Sequence, residues 1–206
     1  MLKKHLILSG IIISLSLLVL ATLHYPGGSQ ADKNAIGYDW RNNYISNLFS
    51  EKAINGSDNG GRFWAVAGMF FLSLSFALFF IEFSKKIPAK SASKVIKYCG
   101  AGCMLFTFLI ATPLHDIMVT ISSTMFLIGL FYITVFVFKT RLKLFKIFCV
   151  VTLLVFYFTL FMFGSGDFRI YLPIMQKINF IVTITLVLGL NYFTQDEDFH
   201  HLNSSK

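Results

Sequence analysis

The chain has 206 residues, of which 55% are apolar, 17% aromatic and 14% charged, and its mean hydropathy is +0.68. That balance excludes a domain whose main solvent is water and points to lipid. Eighteen Lys and Arg against ten Asp and Glu give a formal charge of +8. The cations fall between apolar runs, where topology and anionic headgroups account for them, so no nucleic-acid partner is expected.

The first apolar run covers about 2–23 (LKKHLILSGIIISLSLLVLATL). Lys3 and Lys4 give it the look of a secretion signal, but the apolar core is long and LATLHYPGG lacks a small-x-small cleavage site, so a retained helix is expected. A long polar segment, 24–62, follows. Further apolar runs cover about 63–83, 97–112, 117–138, 147–164 and 172–193, and a polar tail, 194–206, is expected to fray. Each run is near the length that a helix rising 1.5 Å per residue needs to cross a hydrocarbon core roughly 30 Å thick. The runs lack the alternation of a membrane barrel. The expected fold class is therefore all-α, an integral membrane bundle of six transmembrane helices forming a single membrane domain over 1–206.

Lys85, Lys86, Lys90, Lys94 and Lys97, and then Lys139, Arg141, Lys143 and Lys146, fall on the same side as Lys3 and Lys4 if the spans alternate. By the positive-inside rule that side is cytoplasmic, with both termini there and the protein in the inner (plasma) membrane. Cys99, Cys103 and Cys149 lie near the same side, and an odd number of thiols facing a reducing compartment argues against a disulfide framework.

The 24–62 segment is too long for an idle connection. PGG and NGSDNGG form turns, whereas YDWRNNYISNLFS carries aromatic and aliphatic residues that need a surface. A short helix around 43–49 resting on the outer mouth of the bundle is expected, making the segment a cap.

Polar residues collect in the outer half. Asp39 and Ser46 belong to the cap, Arg62 opens the second helix, and His115 and Asp116 join the third helix to the fourth. Ser122 lies two turns deeper, and Lys177 and Asn179 sit in the first turns of the sixth helix. Lys177 is costly in lipid unless it snorkels or finds an anion such as Asp116, Asp39 or a headgroup. Asp116 suits the start of a helix that follows Pro113, with His115 at the interface. Alternatively, His24, His115 and Asp116, with Asp39, supply nitrogen and oxygen ligands suited to zinc, although no HExxH or paired-cysteine motif is present. Ser46 or Ser122 beside a histidine and an aspartate would suit nucleophilic hydrolysis, but no GxSxG pattern occurs.

YPGG at 25–28, NYISNLFS at 43–50, Asn59 followed by RFW at 62–64, PLHD at 113–116 and IMQKINF at 174–180 together resemble an uncharacterised bacterial family of six-helix membrane proteins, known as a domain of unknown function. The layout is similar to that of the DRAM/Frag/Sfk group. The resemblance places Ser46, His115, Asp116 and Lys177 where that family carries polar residues, with lysine standing where arginine is more usual; lysine offers a point charge and not a bidentate fork. The layout also resembles the CREST membrane hydrolases, which use serine, aspartate and histidines around zinc, but their late HxxxH pair does not occur in this chain.

The function expected from sequence is an outward-facing polar pocket roofed by 24–62. It would bind a lipid headgroup or small amphiphile, with Lys177 and Arg62 attracting an anionic part and Trp40 and Trp64 near headgroup level. Candidate pocket residues are Asp39, Ser46, Arg62, His115, Asp116, Ser122, Lys177 and Asn179, with membrane lipids as partners and no cofactor. The alternatives are a zinc-dependent hydrolase using His24, His115 and Asp116, and a non-enzymatic subunit that packs on a second copy or on another membrane protein.

Overall fold

The computed structural model describes residues 2–112 and 114–200. Pro113, expected to end a helix, and residues 201–206 of the tail lie outside the described residues, as do the side chains of Lys3 and Lys4. The described chain is helical: α1 (Leu2–Leu23), α2 (Arg62–Lys85), α3 (Lys90–Val95), α4 (Ala101–Leu109), α5 (His115–Phe138), α6 (Lys143–Ser165), α7 (Leu172–Phe193) and α8 (Glu197–His200). A 3-10 turn at Ile45–Phe49 lies in the cap, and another at Arg169–Tyr171 leads into α7. Gly166 ends α6 at φ +77°, a left-handed terminus that glycine adopts without a Cβ penalty.

Among the described residues five helices are long and apolar enough to cross a membrane: His5–Leu23, α2, α5, α6 and the stretch Arg169–Phe193. Their apolar residues run around the whole circumference, so large side chains face outward, among them Leu144, Ile147, Leu154 and Tyr157 of α6. A helix apolar all round needs either a protein interior or lipid on every side. The remaining run is helical from Lys90 to Leu109, with a π turn at Ile96–Gly100 between α3 and α4. It begins earlier than the apolar pattern suggests, because Lys90, Lys94 and Lys97 mark a polar level without breaking a helix.

The helices pack in sequence around a ring: α1 along α2, α2 on α4, α4 on α5, α5 on α6 and α6 on α7, which returns to α1 and α2. Two seams rest on small residues. Gly10, Gly68 and Gly61 of the α1–α2 seam face Ser75, Ser14 and Ala21, and a Cβ at Gly68 would stand 3.1 Å from the Ser14 carbonyl. Between the π turn and α5, Gly100 lies under the Phe80 ring, and its Cα would be 3.4 Å from a Cβ at Gly129. Close backbone approach supplies the dispersion contact that replaces the hydrophobic effect in lipid.

At the lysine-rich end the described part of the tail, residues 194–200, is docked, where fraying was expected. Phe199 is fully buried with its ring 5.7 Å from that of Phe83, and Lys86 Nζ donates to the Thr194 carbonyl at 2.7 Å. The Phe199 ring and the Lys86 bonds to Thr194 together hold this stretch against the conformational entropy of ordering it. The three cysteines are free thiols.

Gly100→Ala places a Cβ on the buried Phe80 ring and should destabilise the bundle by about 1–3 kcal/mol. Gly164, near the end of α6, has open space around its Cβ position, so Gly164→Ala should be neutral or slightly stabilising. Thermal unfolding of the two variants in detergent checks the contrast.

Candidate functional site

The 24–62 segment folds into a cap held by buried asparagine side chains. Asn43 is fully buried; its Oδ1 accepts the Asp39 amide at 2.9 Å and its Nδ2 donates to the Gly28 carbonyl at 2.9 Å. Asn59 Nδ2 donates to the carbonyls of Leu48 at 3.0 Å and Ser50 at 2.9 Å, and its Oδ1 accepts the Gly61 amide. Asn47 Oδ1 accepts the Tyr44 amide at 2.7 Å. Gly28, at φ +82°, lies so close to the Ile54–Asn55 backbone that a Cβ has no room. Tyr25 closes the other side, its hydroxyl accepting the Ile54 amide. An irregular segment has no ladder of its own, and side-chain amides fill that role here.

Two residues of α7 fasten the cap to the bundle. Gln176 Oε1 accepts the Ile45 amide at 2.7 Å, and Lys177 Nζ donates to the Asn43 carbonyl at 2.6 Å and the Pro173 carbonyl at 3.0 Å. The Lys177 ammonium also stands 5.7 Å from the Tyr38 ring centre, which Trp40 meets edge-on. Burial pushes the Tyr38 phenol well above its usual range, and the charges of Tyr25 and Asp39 add to the rise.

Below the cap lies a cavity of about 1050 Å³. Tyr44, Ile45, Ser46 and Phe49 roof it, and His115, Asp116, Arg169 and Gln176 line its upper part. Its walls come from α2, α4, α5, α6 and α7, with Leu72, Val119, Leu160, Phe163 and Phe180 supplying apolar surface. Phe76, Phe126 and Phe156 lie deepest by their distance along the helices, and Phe126 stacks on Phe156 with centroids 4.8 Å apart. Arg169 lies near enough to Tyr44 for its charge to oppose the upward push that burial exerts on that phenol.

Of the sequence-derived candidates, Ser46, His115, Asp116, Ser122 and Asn179 line this cavity. The other three serve the cap. Lys177 donates to backbone carbonyls of the cap and of α7, with Asp39 near enough for its charge to act on the ammonium. Arg62 donates from Nε to the Phe49 carbonyl at 3.0 Å and from its guanidinium to Glu51 at 2.9 Å. Asp39 accepts from the side chain of Asn42 and from the amides of Arg41 and Asn42. The Asn42 side-chain bond, with these amides and the Ser29 hydroxyl, holds the Asp39 carboxyl below its usual range against partial desolvation.

Leu114, and not Asp116, is the N-cap of α5; Asp116 sits in the first turn, where its charge favours the helix dipole. Its carboxylate meets His115 Nδ1 at 2.8 Å. His24 Nδ1 is bonded to the Leu20 carbonyl, and the ring lies 6.3 Å from that of Trp64. Among the described residues no group of three or more His, Cys, Asp and Glu side chains is placed to hold a metal ion. The Ser122 hydroxyl donates to the Val119 carbonyl at 3.2 Å.

The cavity residues outside the candidate set include Arg169, Gln176, Ser73 and Thr183. Gln176 and Arg169 stood beside charged neighbours that attracted notice in their place. Ser73 and Thr183 look like ordinary hydroxyls of spanning helices, and only their positions against the cavity single them out. Comparison with protein families, curated proteins and solved structures finds no match for this chain.

Gln176→Leu orphans the Ile45 amide, and Lys177→Met removes the anchor on Asn43. The double variant should loosen the cap by about 1–3 kcal/mol, seen as faster hydrogen exchange over residues 42–49 with α1 and α2 unchanged. Asp39 adds a pH signature. Its carboxyl titrates lower in the folded cap than in the unfolded chain, so its contribution is present above the ordinary carboxylate range and is lost as pH falls through the depressed value. The protection factors of the cap amides, corrected for the intrinsic pH dependence of exchange, should therefore fall on acidification, and Asp39→Ala should remove that component.

Proposed function

We propose that the protein is a six-span protein of the inner (plasma) membrane, both termini cytoplasmic, whose capped cavity binds an amphiphile drawn from the bilayer. Taken as the sixth span, the helical run Lys90–Leu109 has twenty residues, close to the roughly 30 Å of a hydrocarbon core at 1.5 Å per residue. The positive-inside rule then sets the lysine-rich end in the cytoplasm and the cap outside.

One observation carries the reading. A cavity of about 1050 Å³ has polar and cationic groups near the cap and aromatic walls deeper down, a polarity gradient that matches a molecule with a polar head and an apolar body. Its volume is at the upper end of the usual range for small-molecule sites. Arg169 takes the part first given to Lys177 and Arg62, because those two cations are held by the cap while Arg169 is exposed beside the cavity. His115 and Asp116 add a paired polar group at the same level.

The arrangement favours binding over hydrolysis. The Ser122 proton is directed at a backbone carbonyl, and the His115–Asp116 pair is formed between sequence neighbours, so neither histidine nor aspartate is aligned behind a serine as a relay would require.

The protein purified in mild detergent should carry a co-purified amphiphile in native mass spectrometry. Leu160→Trp, which fills the cavity, should release it. Arg169→Gln should lower affinity for an anionic amphiphile roughly two- to five-fold, as expected for an exposed charge contact of up to about 1 kcal/mol. A wild-type protein that neither retains nor rebinds any amphiphile would end this reading.

A further inference from the structure

The hydroxyls of the spanning helices follow one habit with a few exceptions. Ser75, Thr107, Thr134, Thr152, Thr159 and Thr185 each donate to the carbonyl four residues back, at 2.7–2.9 Å. That local bond is the simplest way to satisfy a hydroxyl where water is absent. Ser73 and Thr183 do not make it. Both are more than nine-tenths buried; Ser14 Oγ, which does not line the cavity, has no hydrogen-bond partner among the described residues, and neither have the Ser73 and Thr183 hydroxyl oxygens and Asn179 Oδ1.

All three side chains line the same cavity. Asn179 and Thr183 stand one turn apart on one face of α7, and Ser73 lines the cavity from α2, which packs on α7. Ser73 is about 16 Å along α2 from Arg62, and Thr183 about 16 Å along α7 from Leu172, at 1.5 Å per residue. They thus lie deep in the cavity, near the level of Phe76 and Phe126. A buried polar atom left unmet has a free-energy cost, and these three gather where something other than protein can meet them.

We propose that the deep end of the cavity is a subsite for a neutral group that both donates and accepts hydrogen bonds, a hydroxyl or a primary amide, at the buried end of the bound amphiphile. The inference rests on the amphiphile reading above. A carboxylate or phosphate finds no cation among Ser73, Asn179 and Thr183 and would be stranded. An ester or ketone oxygen only accepts, which leaves Asn179 Oδ1 unmet. A hydroxyl gives its proton to that oxygen and takes a proton from Ser73 or Thr183. The aromatic residues at the same depth leave little length beyond the subsite, so the ligand has two polar ends: a head near Arg169 and His115, and a hydroxyl tip on the α2–α7 wall.

The pair 12-hydroxydodecanoate and dodecanoate tests this on the full-length protein in detergent, since the two differ only in the terminal hydroxyl. In a purely apolar cavity that hydroxyl weakens binding, because it loses water and gains nothing. In wild type the hydroxylated probe should bind roughly three- to ten-fold more tightly. In the Ser73→Ala, Thr183→Val double variant the order should reverse, while the melting temperature of the probe-free protein stays level or rises, since two unmet hydroxyls are gone. Should the double variant fail to fold, the near-isosteric Thr183→Val alone should shrink the preference. Equal binding of the two probes to wild type, a preference for dodecanoate, or a preference that survives the variants overturns the subsite and leaves the amphiphile cavity standing. Binding of neither probe, together with no retained amphiphile, removes both.

Discussion

The Asn43 carbonyl, accepting the Lys177 ammonium at 2.6 Å, is the contact on which the arrangement of the cap depends. Asn43 is at once the centre of the cap, through Asp39 and Gly28, and the point where the cap meets α7. An ammonium on a spanning helix seeks three acceptors, and here it finds two carbonyls and an aromatic face. Asp39 is near enough for its charge to act on the cation as well, and the cap gains a tether that a neutral residue would not supply. Gln176, one residue earlier, makes the second tether, so one turn of α7 fixes the height of the roof over the cavity.

That tether also decides which charges are left for a ligand. With Lys177 and Arg62 occupied by the cap, Arg169 and the His115–Asp116 pair define the polarity of the upper cavity. Both sit where chain connections meet the bundle, α4 to α5 and α6 to α7, which is where polar residues are tolerated at a membrane surface. The polar upper rim, aromatic walls and isolated deep hydroxyls form a sequence of environments along one axis, and such a sequence selects a molecule by the order of its own polar and apolar parts.

Much of the fold was legible because lipid imposes a strong rule: an apolar run of sufficient length must be helical, since the backbone has no other way to satisfy itself. Hydropathy alone marks α1, α2, α5 and α7 to within two residues at each end. The starts of α3 and α6 did not follow from it, because lysines at an interface mark depth and not the end of a helix. The cap was legible as a surface-bound segment with a short helix around 43–49, found as the 3-10 turn Ile45–Phe49, but its mechanism was not: asparagines in a polar loop look like turn formers, and only the burial of Asn43 and Asn59 and the bonds of half-buried Asn47 reveal them as replacements for a backbone ladder. Charge misled for a related reason. Asp39, Arg62 and Lys177 were conspicuous as candidates, and conspicuous charges in a compact cap are the ones that neighbouring backbone groups claim first. Ser46, His115, Asp116, Ser122 and Asn179 reached the cavity because depth along a helix can be counted, whereas the facing of Ser73 and Thr183 depends on helix rotation, which a chain apolar on all sides does not encode.

The cavity itself follows from how the seams are made. Where glycines meet, at Gly68 on Ser14 and at Gly100 beside Gly129, backbones approach and leave no space. At the lysine-rich end the Phe145 ring of α6 fits over Gly189 of α7, where a Cβ would come within 2.8 Å, and that end is closed. Toward the cap α5 and α6 meet through rings instead, Phe126 on Phe156, and rings hold helix axes farther apart than small residues do. Val119, Leu160 and Thr159 are too short to span the gap between that stack and Tyr44 of the cap, and Phe163 and Phe180 line its walls. Sequence thus makes the void by a change in residue size along the helices, tight where glycine lies and open above the Phe126–Phe156 stack, and the cap covers the opening that this change creates.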